Sequence, residues 1–350
     1  MLGVNSVTSI AIIGSGIAAL TAARQLNDVA DVTLFEKSRG VGGRMATRRA
    51  EPYSFDHGAQ FFTAKTPAFQ EFLAPLEAVG IIQHWGARFA EIDNGKIISQ
   101  RVWDDELPHY VGTPAMNAVG KYISDGLKFV LGTRIAGIEH TDKWCLWDDH
   151  GQNVGEFDWV ISTVPAGQSI DILPPSVSFY PEIETIKMKA CFSLMLGFEE
   201  ALPLAFDAAH VAGADISWIS VNSSKPGRSN DFSLLVHSTN LWANEHLHDA
   251  QETVLAYLCQ QTSETIGYDV SNAAHQAVHG WHFANLEKQV GPTCYLDANA
   301  QIAACGDWCI QGRVEAGFAS GQSLATEILR VLGSSDRAPA DNPASGESHV

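Results

Sequence analysis

Basic side chains are scarce in this chain. Its 22 lysines and arginines face 40 aspartates and glutamates, for a formal net charge of −18 at pH 7. Such a surface repels nucleic acid and anionic lipid, so neither is an expected partner. Long apolar runs are missing too, and none approaches the roughly 20 residues that cross a bilayer. The segment before Ile10 lacks the basic start and apolar core of an export signal, so the expected location is the cytoplasm. No CxxC pair occurs among the six cysteines (145, 191, 259, 294, 305 and 309), which read as reduced, mostly buried thiols. Metal-ligand spacing is absent as well. His246 and His248 flank Leu247 beside Glu245, but residues two apart diverge on a helix, so no metal is expected. There is no internal repeat.

What is present suits a soluble α/β chain. At 350 residues, 45% hydrophobic and 18% charged, it is long enough for one large domain or two interleaved ones. The apolar run at 9–13 reads as a buried strand and 16–27 as a helix rich in small residues. Residues 31–36 read as a second strand, completing a strand–helix–strand unit. Between the first strand and the helix stands Gly14-Ser15-Gly16-Ile17-Ala18-Ala19, and Glu36 follows Gly14 by 22 residues. Gly14 permits a tight turn, Gly16 lets backbone approach a diphosphate, and Ala19 lets helix and strand pack closely. Free amides at the helix start, near Ile17 and Ala18, favour phosphate. Glu36 can accept hydrogen bonds from a ribose diol and would repel a 2′-phosphate.

Lys37-Ser38-Arg39-Gly40-Val41-Gly42-Gly43-Arg44 follows at once, and 37–49 hold five basic residues. Beside a diphosphate this loop would neutralise charge, with Arg44 the strongest candidate and Gly43 letting the loop fold over. Almost 300 residues later comes Cys305-Gly306-Asp307-Trp308, then Gly312 through Gly321. Asp307 can accept a hydrogen bond from a ribityl hydroxyl. A helix starting at Val314-Glu315 would aim its positive end at a flavin edge that gains negative charge on reduction. Gly317, Ala319 and Gly321 would allow close backbone approach, or simply a small-residue helix contact. Motifs at both ends of one chain point to FAD rather than NAD.

Elsewhere, 67–79 reads as an amphipathic helix and Asp93-Asn94-Gly95-Lys96 as a hairpin turn. Thr113-Pro114 reads as a helix start. Strands are expected within 127–164, 186–240, 274–283 and 300–305, and helices over 247–264 and 314–332. The Ser/Asp/Pro/Ala-rich tail 334–350 reads as disordered. The simplest assembly is a Rossmann-like FAD-binding domain from 1–64, 108–168 and 292–333. An interleaved α+β substrate domain, 65–107 and 169–291, would be built on a mixed or antiparallel sheet.

Glu36 to Arg44 resembles the glycine–arginine loop of the FAD-binding amine oxidase superfamily. Three stretches resemble its renalase family: Lys37 to Met45, Asp56-His57-Gly58-Ala59-Gln60-Phe61-Phe62-Thr63, and Gly306 to Cys309 with Arg313 to Gly321. The resemblance covers the cofactor domain well. The substrate domain is covered only around His237 to Trp242 and His279 to Ala284. It implies that Gly58, Ala59 and Gln60 lie against the flavin, and that Ile135 and Thr163 contact the cofactor. The implied reaction is hydride removal from aberrant dihydronicotinamides, 2- or 6-dihydro-NAD(P), with NAD(P)⁺ and, from O₂, hydrogen peroxide as products. Such a substrate becomes aromatic on losing hydride and needs no general base, which agrees with the lack of a convincing acid–base pair. Gln60, Trp281 and Phe283 are candidates for the ring-facing wall, with His282 a polar contact where the family commonly carries a basic residue. Flavin held without a covalent bond is expected. The alternatives are a flavin amine oxidase or dehydrogenase of another small molecule, and a non-catalytic binding protein of the same fold.

Overall fold

The computed structural model describes residues 7–335. Its first sheet has six strands, in the order Tyr295–Asp297, Ile302–Ala304, Trp159–Ser162, Ser9–Ile13, Asp31–Glu36, Lys128–Leu131. All neighbours run parallel except the pair formed by the first two. Ile10, Ala11 and Ile12 are wholly buried, as in a parallel strand covered on both faces. Ile10 and Ile12 pack under the first helix, Ile17–Leu26, and the last, Val314–Ser335. Ala11 and Ile13 pack under an antiparallel meander of Ile135–His140, Trp144–Asp148 and Asn153–Phe157.

A second sheet has seven strands, in the order His275–Asn285, Lys189–Gly197, Ser233–Ser238, Ile216–Val221, Ala208–Ala212, Arg88–Asp93, Lys96–Val102. It is mixed, since Ala208–Ala212 runs parallel to Arg88–Asp93 and the other neighbours are antiparallel. Strand alternation divides its faces. Phe192, Leu194 and Leu196 join a core with Trp242, Val254 and Leu258 from helices Asn240–His246 and Gln251–Ile266. Cys191, Ser193 and Met195 point the other way, in register with Trp281, His279 and Ala277. That second face is covered by the segment following a short hairpin, Arg48–Ala50 with Tyr53–Phe55.

Several sequence expectations shift. The hairpin turn holds, with Asn94 and Gly95 both at positive φ. Thr113-Pro114 does not start a helix: the Thr113 hydroxyl has no partner among the described residues, and the helix begins at Asn117. The cap comes from outside, as Met116 N donates to the Asp56 carboxylate at 3.0 Å. The last helix continues through Ser335, beyond the expected stop at 332 and into the expected tail. The rest of that tail, 336–350, lies outside the described residues. Gly317 and Gly321 serve the helix contact. A Cβ on Gly317 would meet Ile17, and one on Gly321 would run into the Ala18 carbonyl.

This contact sets the sign of one substitution. Alanine ordinarily improves a helix interior by about 1 kcal/mol over glycine. At position 321 its methyl would meet backbone that cannot yield, so Gly321→Ala should destabilise the protein by about 1–3 kcal/mol. Urea unfolding reads the change, and a stabilised variant would contradict this helix packing.

Candidate active site

The ends of the parallel strands converge on one crevice. Gly14 leaves the first strand at φ +108°, and a Cβ there would lie 2.5 Å from the Thr163 hydroxyl, which donates to Ile13 O at 2.8 Å. Gly16 has open space where a Cβ would project, over a helix start that no side chain caps. The glycine loop folds back over this space: Gly42 N donates to Ser15 O at 2.9 Å, and Gly43 abuts the Gly16 backbone. Glu36 is buried, accepting from Ser15 Oγ at 2.5 Å and from Ser38 N at 2.8 Å. The open volume, the free amides and the fixed carboxylate fit a diphosphate and ribose, while the side chains of Lys37 and Ser38 are exposed. Ile135 buries its side chain among Ile13, Phe35 and Val160.

The two distant motifs meet directly. Arg44 forms a two-point ion pair with Asp307, one bond at 2.9 Å, and also donates to Ala284 O at 3.1 Å. Its carbonyl accepts from Ala59 N at 2.9 Å, and a Cβ on Gly58 would collide with that same carbonyl. Gly306 N donates to Ser320 Oγ, which donates to Thr293 O. Val314 opens the last helix beside this turn. The Glu315 carboxylate is occupied elsewhere, accepting from the amides of Lys65 and Thr66, so only its backbone remains for a cofactor.

The proposed ring-facing wall divides. The Gln60 side chain is saturated within the protein. It donates to the carbonyls of Asp56 and Gly58 and accepts from Ser220 Oγ at 2.9 Å and Lys225 Nζ at 3.2 Å. No part of its amide is left for a substrate carboxamide. Trp281 donates to His57 O at 2.8 Å, and its ring stacks on His57 at 5.2 Å and meets His279 edge-on at 4.6 Å. Beyond Trp281 the strand is bulged, and Phe283 rests against Gly167. His282 is exposed.

Behind Gln60 lies a charge cluster that sequence reading missed. Asp56, Lys225 and Arg228 are buried together, with Arg228 at 2.5 Å and Lys225 at 3.4 Å from one carboxylate oxygen. Burial opposes ionisation of Asp56, yet Lys225 and then Arg228 hold its carboxyl at about 2. Burial lowers Lys225 to about 8, because one carboxylate is shared between two cations. Burial likewise holds His57 and His237 neutral, each lowered to about 4. His57 Nδ1, His237 Nε2, His109 Nδ1 and Trp218 Nε1 are buried without hydrogen-bond partners among the described residues. Phe61, Trp103, His109 and Trp218 form a connected aromatic group nearby, with Phe61 5.6 Å from Trp218. The available signal was alternation, since His237 and His279 interrupt apolar strand positions. Ser224-Lys225-Pro226-Gly227-Arg228 reads as an ordinary surface loop. Arg228 is thus buried, while Arg88 and Arg101 pair with Asp207 and Glu91 nearer the surface.

Comparison with known proteins agrees with this geometry. Residues 12–76 match the model of the NAD(P)-binding Rossmann-like domain, and residues 96–329 match that of the flavin containing amine oxidoreductases. The fold is similar to that of a protein described as a protoporphyrinogen oxidase from Exiguobacterium sp. 255-15. The TM-score is 0.73 at 14% identity, over 94% of this chain and 99% of that one. It is also similar to wild-type putrescine oxidase bound to putrescine and to a triple mutant of that enzyme. Their TM-scores are 0.66 and 0.68, both at 12% identity over 92% of this chain and 99% of theirs. At these identities the structural likeness carries the fold alone. Among the described residues no helix is long and apolar enough to cross a membrane.

Two stability measurements check the buried charges. Asp56→Asn leaves two buried cations uncompensated and should cost about 3–5 kcal/mol in urea unfolding. In the wild type the Asp56 carboxyl, at about 2 against a usual 3.8, contributes stability present above pH 3.8 and lost as pH falls toward 2. His57 and His237 act earlier. Each lies at about 4 against a usual 6.5, so between those values the unfolded chain takes up protons that the fold refuses. Stability therefore falls from pH 6.5 to pH 4, and His237→Asn should flatten that slope by about 1.4 kcal/mol per pH unit. An unchanged slope would mean that His237 is protonated in the fold.

Proposed function

Because the chain belongs to the flavin-containing amine oxidoreductase family, we propose that it is an FAD-dependent oxidase of aberrant dihydronicotinamides. Its substrates would be 2- or 6-dihydro-NAD(P), converted to NAD(P)⁺ while O₂ becomes hydrogen peroxide. The balance is one dihydronicotinamide, one O₂ and one proton giving one NAD(P)⁺ and one H₂O₂. When bound, the flavin supplies the acceptor for the two electrons and the hydrogen of the hydride. In this reading 1–64, 108–168 and 292–333 hold the cofactor, and 65–107 with 169–291 present the substrate. Gly14, Gly16, Ile17 and Ala18 would take the diphosphate, Glu36 a ribose, and Arg44, Asp307 and Val314 the remainder. Attachment would be non-covalent, since burial raises the thiol of Cys305 and pushes that of Cys309 up to about 12, so neither is a thiolate.

The observation that carries this reading is the charge state of the wall around Trp281. His57 and His237 are neutral, and Asp56 is neutralised by Lys225 and Arg228. The buried Asp56–Lys225–Arg228 cluster has one more cation than anion, which disfavours an alkylammonium nearby. A planar neutral ring that becomes aromatic on oxidation needs neither counter-ion nor base. His57 O fixes the Trp281 ring through its indole N–H. The second reading, oxidation of an amine or another small molecule, draws on Lys225. Amine oxidases often place a lysine near flavin N5. Lys187 and Lys189 bond Glu184 and Glu287 at the surface and Lys288 is exposed, whereas Lys225 is buried beside Gln60.

Anaerobic mixing of the holoenzyme with 6-dihydro-NAD should bleach the flavin within milliseconds to seconds. A flavin that stays oxidised, with peroxide released from a panel of amines instead, would replace this reading with the second.

A further inference from the structure

The short hairpin before Asp56 carries a cation that the cofactor cradle does not use. Arg48 stands directly across from Phe55, so the two side chains share one face of the hairpin. Phe55 stacks on His275 at 5.4 Å, which turns that face toward strand His275–Asn285. His275, His279 and Trp281 follow one another along the near side of this strand. Arg48 is exposed, and its side chain has no carboxylate partner and no hydrogen bond among the described residues. Its charge is nevertheless felt along the wall. Burial first, and the Arg48 charge after it, lower His275 and His279, and the same charge helps to lower His57. An unpaired guanidinium therefore sits at the rim of the wall in a protein of net charge −18.

We infer that Arg48 is the anion anchor of the substrate site and that it takes a phosphate of a nucleotide substrate. The inference rests on the dihydronicotinamide reading and adds where the charged half of that substrate lies. A guanidinium presents paired N–H donors that match phosphate oxygens. The Arg48 charge acts on His275 and His279, and His279 lies two residues from Trp281, about 7 Å along the strand, so the anchor is placed along the wall from the Trp281 ring.

The test compares Arg48→Gln with wild type on three substrates: 6-dihydro-NAD, the corresponding mononucleotide, and neutral N-methyl-1,6-dihydronicotinamide. Losing a charge-assisted contact should raise the half-saturating concentration of both phosphorylated forms by about ten- to hundredfold. The limiting rate of flavin reduction and all constants for the neutral substrate should stay within about twofold, and Arg48→Lys should restore part of the loss. An equal effect on charged and neutral substrates, or none on the phosphorylated ones, would overturn the inference. If no dihydronicotinamide reduces the wild-type flavin, the reading of the reaction fails, and the anchor is decided separately by titrating oxidised holoenzyme with pyrophosphate. Saturable binding seen in the flavin spectrum and lost in Arg48→Gln supports the anchor. Binding that the variant retains, or no binding at all, rejects it.

Discussion

One carboxylate ties together segments that have nothing else in common. Asp56 accepts from Thr47, from the amide at the start of helix Asn117–Ile123, and from Lys225 and Arg228. Its own backbone accepts from Gln60 and donates to Asn222. A buried charge is tolerated only when every partner is present, because removing ions from water costs several kcal/mol each. The position of the glycine loop, the pocket-side segment 57–62 and the turn at 222–228 are thus set by one requirement. The carboxylate must be surrounded, and only one arrangement of these segments surrounds it.

The first strand–turn–helix–strand unit was largely legible in the sequence because its signals are local. A buried strand, a glycine turn, a small-residue helix and an acid at the next strand end fall within 28 residues, from Ser9 to Glu36, and each needs only its neighbours to form. Arg44 and Asp307 could be assigned to a common ligand by chemistry, although their direct contact spans 263 positions. The Asp56 cluster was not legible, since Lys225 and Arg228 lie in a turn-rich loop whose composition is that of solvated surface. The helix start was misread for the same reason: Asp56 supplies the cap that Thr113 does not. Gly317 and Gly321 show a further limit, since small residues suit a cofactor and a helix equally until the neighbour is known.

The pocket and the surface follow opposite electrostatic rules. The exterior is strongly acidic, whereas the wall around Trp281 is built from neutral histidines and aromatic rings, with a surplus cation buried behind it. The histidines stay neutral because they are buried, so below the ordinary histidine range they become a burden to the fold. The same rings carry nitrogen atoms that no group among the described residues satisfies, which adds to the cost of burying them.

The strand order of the six-stranded sheet has a consequence for synthesis. Residues 9–36 can form their turn early, but the sheet lacks Ile302–Ala304, the Asp307 turn and the helix that seals Ile17 and Ala18 until more than 270 further residues have left the ribosome. At about 5–20 residues per second, the nascent chain spends on the order of half a minute with a half-built nucleotide cleft. The sheet and the turn that meets Arg44 are therefore completed only when the chain is nearly finished.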